Sequence, residues 1–262
     1  MDDLKLPLNQ AAAMSHLLRL VSSGYYNYFS GRVHLELLET VVAKLRHRWP
    51  MINANANARA YRKKTGRFNA DLVITFDHQL WAKDQKLLLY LLATPGKPDK
   101  GEADIVQVEN LHNALAEPLY WPGKYELVKA RKQCKVKGKS TTHAERWTWR
   151  MQHRYKLELD ALLSDKANAN PAHFLTALEN VRHIPMFSGI RDQVTKLNIS
   201  LSETWRKQHQ DRLYPDILAN LPMMPKIKVF GDLTLPVLIK RLKAEIEEKE
   251  GKAMAEAEDL VT

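Results

Sequence analysis

Apolar residues recur at helical spacing near the start of the chain. In NQAAAMSHLLRLV (9–21), Met14, Leu17, Leu18 and Val21 share one face, and Ser22-Ser23-Gly24 ends the run. VHLELLETVVAKLRHR (33–48) places Leu35, Leu38, Val42 and Leu45 on a stripe that Pro50 closes. Between them, YYNYFSGRVHLE (25–36) alternates as a strand, or as a turn entering the next helix. The pattern then fades. MINANANARAYRKKTGRFNA (51–70) alternates Asn with Ala and offers little to bury, so it reads as a loop.

Two apolar runs follow, DLVITF (71–76) and KLLLYLLAT (86–94), which read as buried strands. PGKPDKG (95–101) is a turn, residues 104–117 suit a short helix, and Trp121-Pro122-Gly123 is a break. YELVKARK (125–132) reads as a strand whose partner, TTHAERWTWRM (141–151), returns across a glycine-containing loop.

Beyond this the period is helical. KLELDALLSD continues as helix, and ANANPAHFLTALENVRH begins another with Asn170 as N-cap and Pro171 as first helical residue. After a break at HIPMFSG, IRDQVTKLNISLSETWRKQHQD sets Ile190, Val194, Leu197 and Leu201 on one stripe with Trp205 beside it. Pro215, Pro222, Pro225 and Pro236 mark irregular chain, and the last helix becomes charged enough to fray into a solvated tail. There is no internal repeat. The order predicts an α+β fold: an antiparallel or mixed sheet with packed helices over 1–157, ferredoxin-like in one arrangement, and a helical region over 158–262.

Composition is that of a globular protein, with 45% hydrophobic and 27% charged residues. The single cysteine, Cys134, excludes an internal disulfide framework and a cysteine-based zinc site. The start, MDDLKLPLNQAAAMSHLL, does not read as a secretory signal, and no apolar run is long enough to span a bilayer. The expected setting is the cytoplasm, without a membrane partner.

Charge changes the picture. The chain carries +10, and residues 129–156 alone hold ten lysines and arginines against one glutamate. Read as a hairpin, this segment puts His143, Glu145, Trp147, Trp149 and Met151 inward, and Thr142, Ala144, Arg146, Thr148 and Arg150 outward. Tyr125, Leu127, Lys129 and Arg131 share a face of the preceding strand. The expectation is a ladder of cations on one sheet face and its tip, formed by Lys129, Arg131, Lys132, Lys135, Lys137, Lys139, Arg146, Arg150 and Arg154. Like charges so close repel, and a polyanionic backbone relieves them. Arginine forks suit phosphate bidentately. A second basic stretch, RAYRKKTGRF (59–68), adds Arg59, Arg62, Lys63, Lys64 and Arg67, with Tyr61 and Phe68 interleaved. Both stretches also admit a plain reading, as solvated basic surface.

Aromatics crowd GYYNYFSGR (24–32), which fits core packing at a helix–sheet junction, a stacking platform, or a tyrosine nucleophile assisted by Arg32. Catalytic signatures are sparse. No His-x-His, HExxH or phosphate-binding glycine loop occurs, and GKST (138–141) lacks its upstream glycine. Asp71, Asp77, Asp84 and Lys86 could serve a magnesium-dependent nuclease, and His143 or Tyr26 a metal-independent endoribonuclease. YELVKARK and ERWTWRM resemble stretches in uncharacterised proteins of plasmids and integrative elements, a likeness that assigns no residue a role; the basic hairpin itself suggests a subunit of a larger nucleoprotein complex of a mobile element or plasmid. The expected function is nucleic-acid binding, to RNA or DNA, with no cofactor and no metal. The alternatives are a nuclease, or an adaptor that docks a protein on its helical half.

Overall fold

The computed structural model describes residues 4–131, 133–136, 139–142, 144–222 and 224–259, without the side chains of 78, 79, 133–136, 139–142 and 249–259. The first half runs β1 (Lys5–Pro7), α1 (Gln10–Ser22), β2 (Asn27–His34), α2 (Leu35–Arg48), α3 (Ala56–Lys64), β3 (Ala70–Thr75), α4 (His78–Asp84), β4 (Lys86–Ala93), α5 (Ile105–Val108), β5 (His112–Asn113), β6 (Leu119–Trp121) and β7 (Tyr125–Ala130). The second runs β8 (Gln133–Val136), β9 (Lys139–Thr142), β10 (Arg146–Met151), α6 (His153–Ala169), α7 (Pro171–Arg182), α8 (Ser188–Gln208), β11 (Phe230–Thr234) and α9 (Leu235–Asp259). The fold is α+β. Among the described residues, no helix is long and apolar enough to cross a membrane.

Contacts divide the chain into two compact units that interleave in sequence. One comprises 1–17, 29–110 and 228–262, the other 18–28 and 111–227. The boundary read from the sequence, after residue 157, lies within α6.

In the first unit β4 lies between β3 and β2. β3 and β4 pair antiparallel from Ala70↔Ala93 to Thr75↔Leu88, and both are buried almost throughout. Burial on both faces explains why they read as unbroken apolar runs. α1 begins where Asn9 Oδ1 accepts from Ala12 N at 2.9 Å. Its Met14 and Leu17, with Leu35, Leu38 and Val42 of α2, enter the core. β1 pairs antiparallel with β11, a short ribbon that the sequence pattern does not announce.

Two expectations fail here. The Asn-Ala stretch is not a loop: α3 forms because Asn55 Oδ1 caps Ala58 N at 2.9 Å and the alanines are strong helix formers. Residues 104–117 hold only one helical turn, α5, capped by Asp104, and the chain then extends into β5.

In the second unit β6, β7 and β10 form an antiparallel meander with β7 central. Among the described residues β10 pairs with β7 over Arg146–Met151. Gln133–Val136 and Lys139–Thr142 form their own antiparallel pair, β8 with β9, where a simple loop and strand extension were expected. The outer edge of β10 is covered by α8. Gln193 accepts from Met151 N at 2.6 Å and donates to Met151 O at 3.0 Å, standing in for a missing strand. α8 lies close enough that a Cβ at Gly189 would sit 2.6 Å from Trp149 O.

The α8 stripe of Ile190, Val194, Leu197, Leu201 and Trp205 is buried, and Trp205 stacks on Phe174 of α7 at 5.1 Å. That face therefore packs internally. Asn170 caps α7 as its sequence predicts, accepting from Ala172 N at 2.9 Å with Pro171 at the helix start.

Gly189→Ala forces α8 off β10, and Gln193→Leu strips both partners from buried Met151. Each lowers stability by about 1–3 kcal/mol in urea denaturation. A pH effect follows from burial, which raises the Tyr90 and Tyr125 phenols above their ordinary 10.0. The folded state keeps them neutral while the unfolded chain ionises. The contribution of these two phenols is intact below about pH 10, the ordinary phenol pKa, and is lost as the pH climbs further, by about 1.4 kcal/mol per unit for each phenol. Urea midpoints across this range, read beside phenolate absorbance, check it.

Candidate nucleic-acid interface

The register of β7 against β10 distributes the hairpin cations. Residues directly opposite share a face, and the pairs are Lys129↔Trp147, Leu127↔Trp149 and Tyr125↔Met151 on one, Ala130↔Arg146, Val128↔Thr148 and Glu126↔Arg150 on the other. The single-faced cation ladder is overturned. Lys129 stands on the core face, at its open end, whereas Arg146 and Arg150 point the other way.

Nor do cations oppose cations. Arg150 pairs with Glu126 across the ladder, Arg131 with Glu145 at 3.0 Å, and Arg154 with Glu158 at 2.8 Å. Arg154 belongs to the first turn of α6, not to the ribbon. Glu145, expected inward, is exposed beside Arg131. Among the described residues, Arg146 has no ionic partner. Lys132, Lys137 and His143 lie outside the described residues, as do the side chains of Lys135 and Lys139.

The tryptophans divide as well. Trp149 is 0% exposed and belongs to the core. Trp147, at the strand's start, remains partly open. The Lys129 ammonium lies 5.9 Å from its ring centroid, and the Tyr26 ring 6.2 Å away at a tilt of 31°. These are cation–π and offset aromatic distances. Tyr26 comes from the tyrosine-rich stretch, so two segments far apart in sequence converge here. The rest of that stretch is largely structural: Tyr25 and Tyr28 are buried, and Tyr28 OH donates to Pro118 O at 2.7 Å. Burial, then the Glu117 carboxylate, raises the Tyr28 phenol well above its usual range.

Thr148, expected outward, is buried. Its Oγ1 lies 2.9 Å from Ser188 Oγ and accepts from Gly189 N at 3.0 Å, because the start of α8 covers that face. The same packing leaves a recess of about 170 Å³ beside Trp147, lined also by Leu18, Met186, Phe187, Arg191 and Met224. The sequence reading missed Arg191 and the apolar residues of this recess. Nothing local marks them, since α1, the chain entering α8, α8 itself and residue 224 come together at Trp147 only in the tertiary fold.

The second basic stretch belongs to the first unit and is mainly an anchor. Arg59 donates to Ala54 O at 2.6 Å and to Asp71 at 2.9 Å. Asp71 is 2% exposed within β3, so its charge requires that partner. The Arg62 side chain, 11% exposed, donates to Phe68 O at 2.7 Å and grips both carboxylate oxygens of Glu102. Arg67 pairs with Asp99 and leans over Tyr61 at 5.9 Å. Lys63 and Lys64 are exposed at the end of α3 and have no ionic partner among the described residues.

The nuclease candidates do not converge. Asp71 faces Arg59, Asp84 pairs with Lys86 at 3.6 Å, and Asp77 lies beyond the far end of the strand that carries Asp71. Among the described residues no three His, Cys, Asp or Glu side chains gather as a metal site. A larger cavity of about 800 Å³ in the first unit, beside β1 and α9, is lined by Leu6, Ile74, Phe76 and Leu242, with three acids, Asp77, Glu245 and Glu248, against one cation, Arg241. That acidic lining has the wrong sign for a polyanion. Compared with protein-family models, curated proteins and solved structures, the chain matches none.

Arg62→Ala removes charged hydrogen bonds that hold α3 and leaves their acceptors unpaired, costing about 1.5–3 kcal/mol in urea unfolding. Lys63→Ala with Lys64→Ala stays within about 0.5 kcal/mol of the parent.

Proposed function

We propose that the chain binds nucleic acid, gripping phosphates from the second unit with Lys129, Arg146 and the lysines of 132–139. It acts as a binding protein, a subunit of a nucleoprotein assembly in the cytoplasm. The observation that carries this reading is the open end of the β7–β10 pair. There Lys129 lies over a half-buried Trp147, beside Tyr26, at the base of a segment that holds nearly all the chain's excess positive charge. A cation next to an open aromatic ring is the pairing that engages a phosphate and a base together.

Internal ion pairs refine which side chains carry the binding. Arg131, Arg150 and Arg154 each already have a carboxylate, so their net contribution to a phosphate is small. Lys129 and Arg146 bring charge without a competing acid among the described residues. Lys63 and Lys64 offer a separate contact on the first unit.

Titrating labelled RNA and DNA against salt tests the proposal. Lys129→Ala and Arg146→Ala each weaken binding to every sequence and lower the slope of log affinity against log salt by about 1. Arg154→Ala changes either quantity far less. Affinity and slope that stay unchanged in Lys129→Ala and Arg146→Ala reject the proposal. Intact oligonucleotide after incubation with and without Mg²⁺ separates binding from cleavage.

A further inference from the structure

We infer that the recess beside Trp147 receives one unpaired base, so that the ligand of this surface is single-stranded nucleic acid read without strong sequence preference. The inference rests on the nucleic-acid reading above and narrows it.

The recess is small. Its volume of about 170 Å³ is below the roughly 300–1,000 Å³ of pockets that enclose a whole drug-sized molecule. It suits a planar fragment that inserts while the rest of the ligand stays outside. Its walls are a tryptophan, a phenylalanine, a leucine and two methionines, with one cation, Arg191, among them. Met186 and Met224 are unbranched and adapt to different ring shapes. Thr148 and Ser188 also border the space, and their hydroxyls bond to each other. An apolar slot of this kind favours the π-face of any base over the hydrogen-bonding edge of a particular one.

Cations stand where the backbone must pass. Lys129 lies over the Trp147 ring, and Arg191 lines the recess without an ionic partner among the described residues. A base within a duplex cannot enter unless it is unstacked and unpaired, which costs energy that a single strand does not spend. Duplex readers instead lay a helix or ribbon in a groove, and a recess between a strand end and a helix start offers no such ridge.

The test uses the whole chain and a fluorescein-labelled mixed-sequence DNA and RNA strand, each alone or annealed to its complement, at one salt concentration. Single strands bind at least about tenfold more tightly than duplexes. Trp147→Ala lowers single-strand affinity by about 5- to 150-fold, with an unchanged salt slope, and Trp147→Phe retains most of it. Circular dichroism checks that both variants fold. A readout without any variant is a strand carrying 2-aminopurine, whose emission is quenched as the base stacks against Trp147. Equal affinity for single strands and duplexes, with no quenching and no effect of Trp147→Ala, overturns the recess while leaving backbone binding in place. Failure of every oligonucleotide to bind overturns both.

Discussion

Two residues directly opposite in an antiparallel pair must lie on the same face. In the β7–β10 pair that constraint couples Lys129 to Trp147, and Arg150 to Glu126. A hairpin with so many cations would otherwise set like charges against each other. Here each ladder cation meets an aromatic ring, a carboxylate or a small neutral residue. The register therefore sets no cation directly against another within this pair, and Lys129 and Arg146 have no ionic partner among the described residues. Everything proposed about binding depends on this register. A slip of one residue would carry Lys129 away from Trp147 and turn Trp149 out of the core.

The same logic separates arginines that hold the fold from cations that can hold a ligand. Asp71 lies inside β3, where an unpaired carboxylate would be costly, and Arg59 neutralises it. Arg62 and Arg67 tie α3 and the following turn to Asp99 and Glu102. Arginine suits this work because its planar fork reaches a carbonyl and a carboxylate at once. Lysines 63 and 64, one flexible ammonium each, project into solvent at the helix end, where they also complement its dipole.

Much of the architecture was legible from pattern. The runs at 71–76 and 86–94 are strands, Asn170-Pro171 opens a helix, and the Ile190–Leu201 stripe packs inward, because burial and capping act locally on the residues that carry them. The misses share a cause. α3 has few apolar residues, so it left no periodic trace, and it is held by a cap and by ion pairs to distant carboxylates. β1 and β11 are short strands at opposite ends of the chain, each meaningful only when the other is present. The interleaved units follow from the same long-range pairings, which a linear pass divides after residue 157.

By itself the sequence determined the α+β class, the principal strands and helices, and the concentration of charge in 129–156, since these follow from composition and short-range spacing. It also marked Trp147 and the tyrosine-rich stretch as unusual. Only the tertiary structure decided that Tyr26 and Trp147 meet, that Trp149 is core while Trp147 stays open, and that Arg131, Arg150 and Arg154 find acids of the chain's own. Those outcomes turn on strand register and on α8 docking along β10. Both are settled by contacts between residues far apart in sequence, which no local pattern encodes.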